Sequence, residues 1–130
     1  MSMKKIIKNG VVFIFALSLV CGLFSVIGMV SASTGTYSEL TGNYDKGSKV
    51  AHAIAKNKTG TTRYLQVQLY DGHANLLATN EGAVSAGGTK QATKKETDKK
   101  TYDVINGRSS IYRSSAPASG AIEGLSVRVK

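Results

Sequence analysis

The sequence predicts a small antiparallel β-sandwich of six to seven strands, all-β, carried behind an N-terminal signal peptide. Beyond residue 36 the apolar residues recur mostly with a period of two. Turn-forming residues punctuate that pattern at near-regular spacing, and two dipeptides, Asp71-Gly72 and Asn106-Gly107, sit between apolar runs as hairpin turns do. Two packed sheets bury one face of every such strand. A small closed barrel is the other architecture that would do so.

The strands are read in chain order. A short one is expected over Thr36–Leu40. Lys49–Ala55 alternates Val50, His52 and Ile54 with small alanines, which puts His52 on the inward parity, and Asn57-Lys58-Thr59-Gly60 ends the run. Thr61–Tyr70 is the clearest strand. Leu65, Val67 and Leu69 point one way, and Tyr64, Gln66, Gln68 and Tyr70 the other. Asp71-Gly72 turns the chain into a partner at Leu76–Thr79, because Asp and Gly tolerate the positive φ of tight turns. Glu81–Gly88, rich in Gly and Ala, reads as a mobile loop. Thr89–Lys100 has no apolar residue larger than Ala; it fits a solvated edge strand, a polar loop or a weak helical turn. Thr101–Ile105 and Ser109–Arg113 flank Asn106-Gly107 as a hairpin. Ser114–Gly120, with the sole proline, Pro117, is a loop, and Leu125–Lys130 is the last strand.

The N-terminus reads as an export signal. Lys4, Lys5 and Lys8 precede a stretch from Val11 to Val30 without a charged residue, and Val30-Ser31-Ala32 places small residues around a cut. Residues 1–32 are therefore the expected signal peptide and 33–130 the secreted domain. The apolar run is also near the ~20 residues of a spanning helix, so a retained anchor is the competing reading. Gly22 and Gly28 weaken such a helix. Cys21 follows Val20 rather than the small residue that a lipid-attachment site wants.

Once Ala32 is passed the chain has no cysteine, which excludes disulfides, thiolate metal sites and thiol nucleophiles. It keeps 14 Lys and Arg against 8 Asp and Glu, a net charge of about +6. Outside a cell the anionic partners for such a domain are cell-wall polymers, phospholipid head groups and pyrophosphate-linked wall precursors. Nucleic acid, the usual partner of a basic domain, does not suit an exported protein. An extracellular protein bound through a sheet face or edge is the alternative partner, which would make the chain an adhesion, immunity or structural module.

No catalytic constellation is present. His52 and His73 lie on different elements, and the carboxylates Glu39, Asp45, Asp71, Glu81, Glu96, Asp98, Asp103 and Glu123 are scattered. No metalloprotease helix, serine elbow, phosphate loop or calcium loop appears. The reading is a non-enzymatic protein without metal or cofactor. Two surfaces are candidates for binding. Lys90, Lys94, Lys95, Lys99 and Lys100 form the main basic cluster, for an anionic ligand or simply as a solvated face. Glu96 and Asp98 read as local charge balance within it. Tyr64, Gln66, Gln68 and Tyr70 form a sheet face able to stack on and hydrogen-bond a saccharide or peptide, or one that merely packs across strands.

The stretch Asn43-Tyr44-Asp45-Lys46-Gly47-Ser48-Lys49, running through His52 and Ala53 to Asn57-Lys58-Thr59-Gly60, resembles the lactococcin 972-type bacteriocins of Gram-positive bacteria. The resemblance implies a signal peptide, a cysteine-free β-sandwich and action at the cell envelope by interference with septum wall synthesis. The chain differs from that family in lacking tryptophan, in its longer C-terminal half and in its non-aromatic C-terminus.

Overall fold

The computed structural model describes residues 29–130 and shows two four-stranded antiparallel sheets. The strands are β1 (Met29–Thr34), β2 (Ser38–Asp45), β3 (Val50–Asn57), β4 (Arg63–Asp71), β5 (Leu76–Val84), β6 (Thr89–Lys95), β7 (Ile105–Tyr112) and β8 (Ala121–Arg128). Sheet A has the order β1-β2-β3-β6 and sheet B the order β5-β4-β7-β8. The expected all-β sandwich is the observed architecture, with eight strands in place of six or seven. No helix among the described residues is long and apolar enough to cross a membrane. The signal-peptide reading falls, for residues 1–28, outside the described residues. The proposed cut after Ala32 would pass through β1, which pairs with β2 from Met29↔Tyr44 to Thr34↔Glu39.

The core lies between the sheets and follows the period-two pattern. Leu65, Val67 and Leu69 of β4 are fully buried, as their alternation predicts. They cluster with Leu40, Tyr44, Ala51, Ala53, Ala55 and Ala92 of sheet A, and Val84, Ile105, Ile111, Val127 and Val129 complete the cluster. Two strands carry a surprise of parity or size. In β3 the alanines join the cluster between the sheets, and Val50, His52 and Ile54 lie on the other parity, opposite to the expectation, although Ile54 is itself buried. The reason is space. Gly107 of β7 packs directly over β3, so that a Cβ on it would lie 3.1 Å from the Cβ of Ala53. Gly42 of β2 likewise abuts the Cγ2 atoms of Val127 and Val129, each 2.8 Å from where its Cβ would be. Small residues on facing strands let the sheets approach here, and a branched side chain on the inner face of β3 would not fit.

That packing also removes the hairpin expected at Asn106-Gly107. Both residues lie inside β7, which pairs continuously with β4 and β8, and residues 101–104 form no strand. Gly107 serves close approach between sheets, not a turn. Residues expected in a mobile loop, Glu81–Val84, continue β5 as far as Arg63↔Val84, leaving only 85–88 as the connection. β6 is an edge strand of sheet A, one of the three conformations open to that segment. Strands this polar form because they pair through backbone hydrogen bonds along one edge, and their charged composition discourages further pairing. Ser114–Gly120 is a loop with a 3₁₀ turn at Pro117–Ser119.

Side-chain bonds tie the sheets together at both edges and both ends. Asn80 Nδ2 donates to the Gln91 carbonyl across the β5/β6 edge at 2.9 Å, and the Ser31 hydroxyl donates to the Arg128 carbonyl across the β1/β8 edge. At one end of β2, Glu123 of β8 accepts from the Ser38 hydroxyl at 2.7 Å and from the Thr36 N–H at 2.7 Å. At the other end, Glu96, only 2 % exposed, accepts from Tyr44 Oη at 2.5 Å, Lys130 Nζ at 2.7 Å and the Tyr102 N–H at 2.8 Å. Glu96 is thus the anchor of a buried network with a distant lysine and does not balance its sequence neighbours, contrary to the expectation. Asp98 instead reaches Lys49 at 3.2 Å on the surface.

Candidate functional site

The outer face of sheet B is built from the polar parity of β4. Because Leu65, Val67 and Leu69 face inward, Tyr64, Gln66, Gln68 and Tyr70 emerge together on the far side, each half-buried by its lateral neighbours. The register sets those neighbours. Gln66 lies between Glu81 and Ser110, Gln68 between Thr79 and Arg108, and Tyr70 beside Asn106. Glu81 accepts from Tyr64 Oη and from Gln66 Nε2, both at 2.7 Å. These hydrogen bonds, Gln66 first, hold the Glu81 carboxyl below its usual range, while the bond to Glu81 raises the Tyr64 phenol. At neutral pH the carboxylate is therefore charged and the phenol is its donor.

Aromatic contacts extend the face. The Tyr64 and Tyr112 rings meet edge to face with centroids 5.3 Å apart. Tyr70 donates to Gln68 Oε1 at 2.8 Å, and the Arg108 guanidinium stands 4.8 Å from the Tyr70 ring centroid. Rings and amides held in place by neighbours form a surface that offers both stacking area and fixed hydrogen-bonding groups. Cross-strand packing and binding capacity are thus properties of the same residues. Arg108 and Tyr112 belong to this face but escaped the sequence reading, because only the β4–β7 register brings them beside β4.

The same face ends in a cleft of about 290 Å³ lined by Asn106, Arg108, Ser126, Val127 and Arg128. Arg108 is directly opposite Ser126 and Asn106 directly opposite Arg128. No signal in the sequence joins the two arginines, which stand twenty positions apart on different strands.

The five candidate lysines do not form one surface. Lys90 and Lys94 share the inward parity of edge strand β6 with Ala92, and Lys90 crosses to β5, where a Cβ on Gly82 would lie 3.0 Å from its Nζ. Lys95 lies on the opposite parity, paired with Val50. Lys99 and Lys100 stand in the β6–β7 connection. There they line a cleft of about 570 Å³ with Asp71, His73, Tyr102 and Asp103. Crowding in sequence is split by the strand's alternation and by the turn that follows it.

The histidines are apart. His52, on the outer face of sheet A, lies 3.2 Å through Nδ1 from Gln91 Nε2. Burial pushes its pKa down, and Asp45 offsets part of that. His73 sits in the β4–β5 turn, which Asp71 caps by accepting from the His73 and Asn75 N–H groups. Among the described residues no group of three His, Cys, Asp or Glu side chains could hold a metal ion.

The segment resembling the bacteriocins is the β2–β3 hairpin with its flanking turns. Asp45 Oδ1 accepts from the Gly47 N–H at 2.9 Å and shapes the turn. Asn57, fully buried, donates through Nδ2 to the carbonyls of Thr61 and Val84 and accepts from Thr59 at Oδ1. Asp45 and Asn57 thus have turn-forming duties. No protein-family model matches the chain, and no curated protein sequence matches it either.

Proposed function

We propose that this chain is a secreted, cationic, non-enzymatic protein that acts at the bacterial cell envelope by binding a sugar-bearing wall component on the outer face of sheet B. The observation that carries the reading is the row Tyr64, Gln66, Gln68 and Tyr70, flanked by Tyr112 and Arg108. Rings, amides and a guanidinium there stand on one rigid, solvent-facing sheet. Saccharides present C–H faces and hydroxyls, which suit aromatic stacking and amide hydrogen bonds respectively. The net positive charge of the domain supplies long-range attraction to an anionic envelope. The resemblance of residues 43–60 to lactococcin 972-type bacteriocins points to the same location.

Sedimentation of the secreted protein with purified cell walls tests the proposal. Wild type should pellet with walls, and Tyr64→Ala/Tyr70→Ala should remain in the supernatant while retaining a cooperative thermal transition. Equal pelleting of both proteins would refute the assignment to this face. A second reading, a protein-binding β module, draws on the cut expected inside β1. A chain beginning at Ser33 leaves most of the β2 edge without its partner strand, and such an edge accepts an added strand.

A further inference from the structure

We infer that the cleft bounded by Arg108 and Arg128 is a phosphate-ester subsite of the sheet B face, an inference that rests on the envelope-binding reading and names the anionic group of its ligand. Four side chains form the site as two directly opposed pairs on neighbouring strands, Arg108 with Ser126 and Asn106 with Arg128. The two arginines are therefore diagonal neighbours, with backbones roughly 7–8 Å apart in such a pairing. Both are exposed, and Val127 between them turns into the core.

Two guanidiniums on neighbouring strands line one cleft, and that juxtaposition singles out this quartet. Among the described residues the ion pairs are Lys49–Asp98 and Lys130–Glu96, so neither arginine is paired with an Asp or Glu side chain. Like charges on adjacent strands repel, and the fold holds them together nonetheless. Each guanidinium is also braced. Arg108 lies over the Tyr70 ring, and the Arg128 Nε–H donates to the main-chain oxygen of Lys130. Bracing one edge of a guanidinium leaves its remaining N–H groups to present a planar fork, the geometry that matches phosphate oxygens two at a time. Asn106 and Ser126 add an amide and a hydroxyl donor. A carboxylate could use one fork, whereas a phosphate ester has oxygens enough for both. The cleft adjoins Tyr70, so a phosphate-linked glycan would set its sugar on the tyrosine row and its phosphate between the arginines.

NMR titration of the secreted protein with inorganic phosphate and glycerol phosphate, at constant ionic strength in sodium chloride, tests the subsite without any envelope material. Saturable shifts confined to the amides of residues 106–108 and 126–128 are expected. In Arg108→Gln/Arg128→Gln the apparent affinity should fall by about tenfold or more. Arg108→Lys/Arg128→Lys, which keeps the charge and loses the fork, should fall between the two. Absent shifts, shifts spread over Lys94, Lys95, Lys99 and Lys100, or equal affinity in the glutamine variant would overturn the inference. Sedimentation then identifies the source of the phosphate. Capture by walls that lose binding when stripped of phosphodiester polymers indicates a wall polymer, and capture by phosphatidylglycerol vesicles indicates a lipid head group. Loss of wall binding in the tyrosine variant alone, with phosphate shifts intact, would separate the sugar-binding role from the phosphate subsite.

Discussion

A single hydrogen in place of a side chain decides the geometry where Gly107 meets Ala53. Gly107→Val would drive a branched side chain into β3, and the expected cost is roughly 2–3 kcal/mol of stability in urea unfolding. Gly60→Ala is the control, since a Cβ there meets nothing within 4 Å; a Gly107→Val loss as small as the control's would mean the sheets can part freely at this point. Burial separates neighbours on β4 just as sharply. Val67→Asp buries a carboxylate whose directly opposed buried polar neighbour is Ser109, and it should cost about 3–5 kcal/mol. Gln66→Ala, one position along on the open face, should cost under about 1 kcal/mol. Comparable losses from the two would contradict the inward and outward assignment. Glu96 is a third kind of residue, a buried charge satisfied by three donors. Glu96→Ala strands Lys130 and Tyr44 and should cost roughly 2–4 kcal/mol, less than a wholly buried pair because Lys130 retains some water.

At the scale of elements, the edge strands behave differently from the central ones. β4 and β7 are held by packing on one face and pairing on both sides, so they should be the slowest to exchange amide hydrogens. β1 and β6 have one paired side and mostly polar surfaces. If the exported chain begins at Ser33, β1 keeps only its last two residues, and the amides of β2 from Thr41 to Tyr44 that face it lose their partners. Intact mass of the secreted protein reads the cut directly. Hydrogen exchange should then be faster at those β2 amides than in the uncleaved chain, and unchanged protection after a cut at Ala32 would show that β1 contributes no pairing that matters.

For the whole molecule, stability should form a plateau bounded by the titration of its end clamps. Burial pushes the Glu96 carboxyl up, yet the bonds from Lys130, Tyr44 and the Tyr102 N–H outweigh it and hold it below its ordinary 4.5. Glu123 is treated alike, raised by burial but lowered further by Ser38 and the 36–38 backbone. A carboxyl that binds protons less readily when folded stabilises the protein above its unfolded pKa and ceases to as pH falls through the folded value. Thermal midpoints should therefore drop as pH falls below 4.5, and Glu96→Gln should flatten part of that fall. At the alkaline limit the sign reverses. Burial, then Glu96, raises Tyr44 from 10.0 to about 12. Its stabilisation is complete below pH 10 and is lost as pH rises towards 12, about 2–3 kcal/mol in all. Tyr44→Phe should abolish that alkaline limb, and an unaltered limb would place the responsible group elsewhere. Across this molecule, the sequence alone determined the all-β class, the inward face of β4, the polar row beside it and the 114–120 loop. Each of these depends on local alternation or on turn chemistry, which a chain carries within a few residues. Only the tertiary structure decided that Gly107 is a packing glycine, that the alanines of β3 face the core, that Glu96 belongs to Lys130, and that Arg108 and Arg128 share one cleft. Those facts depend on register and on the distance between sheets, and both arise from residues far apart in the chain meeting across space.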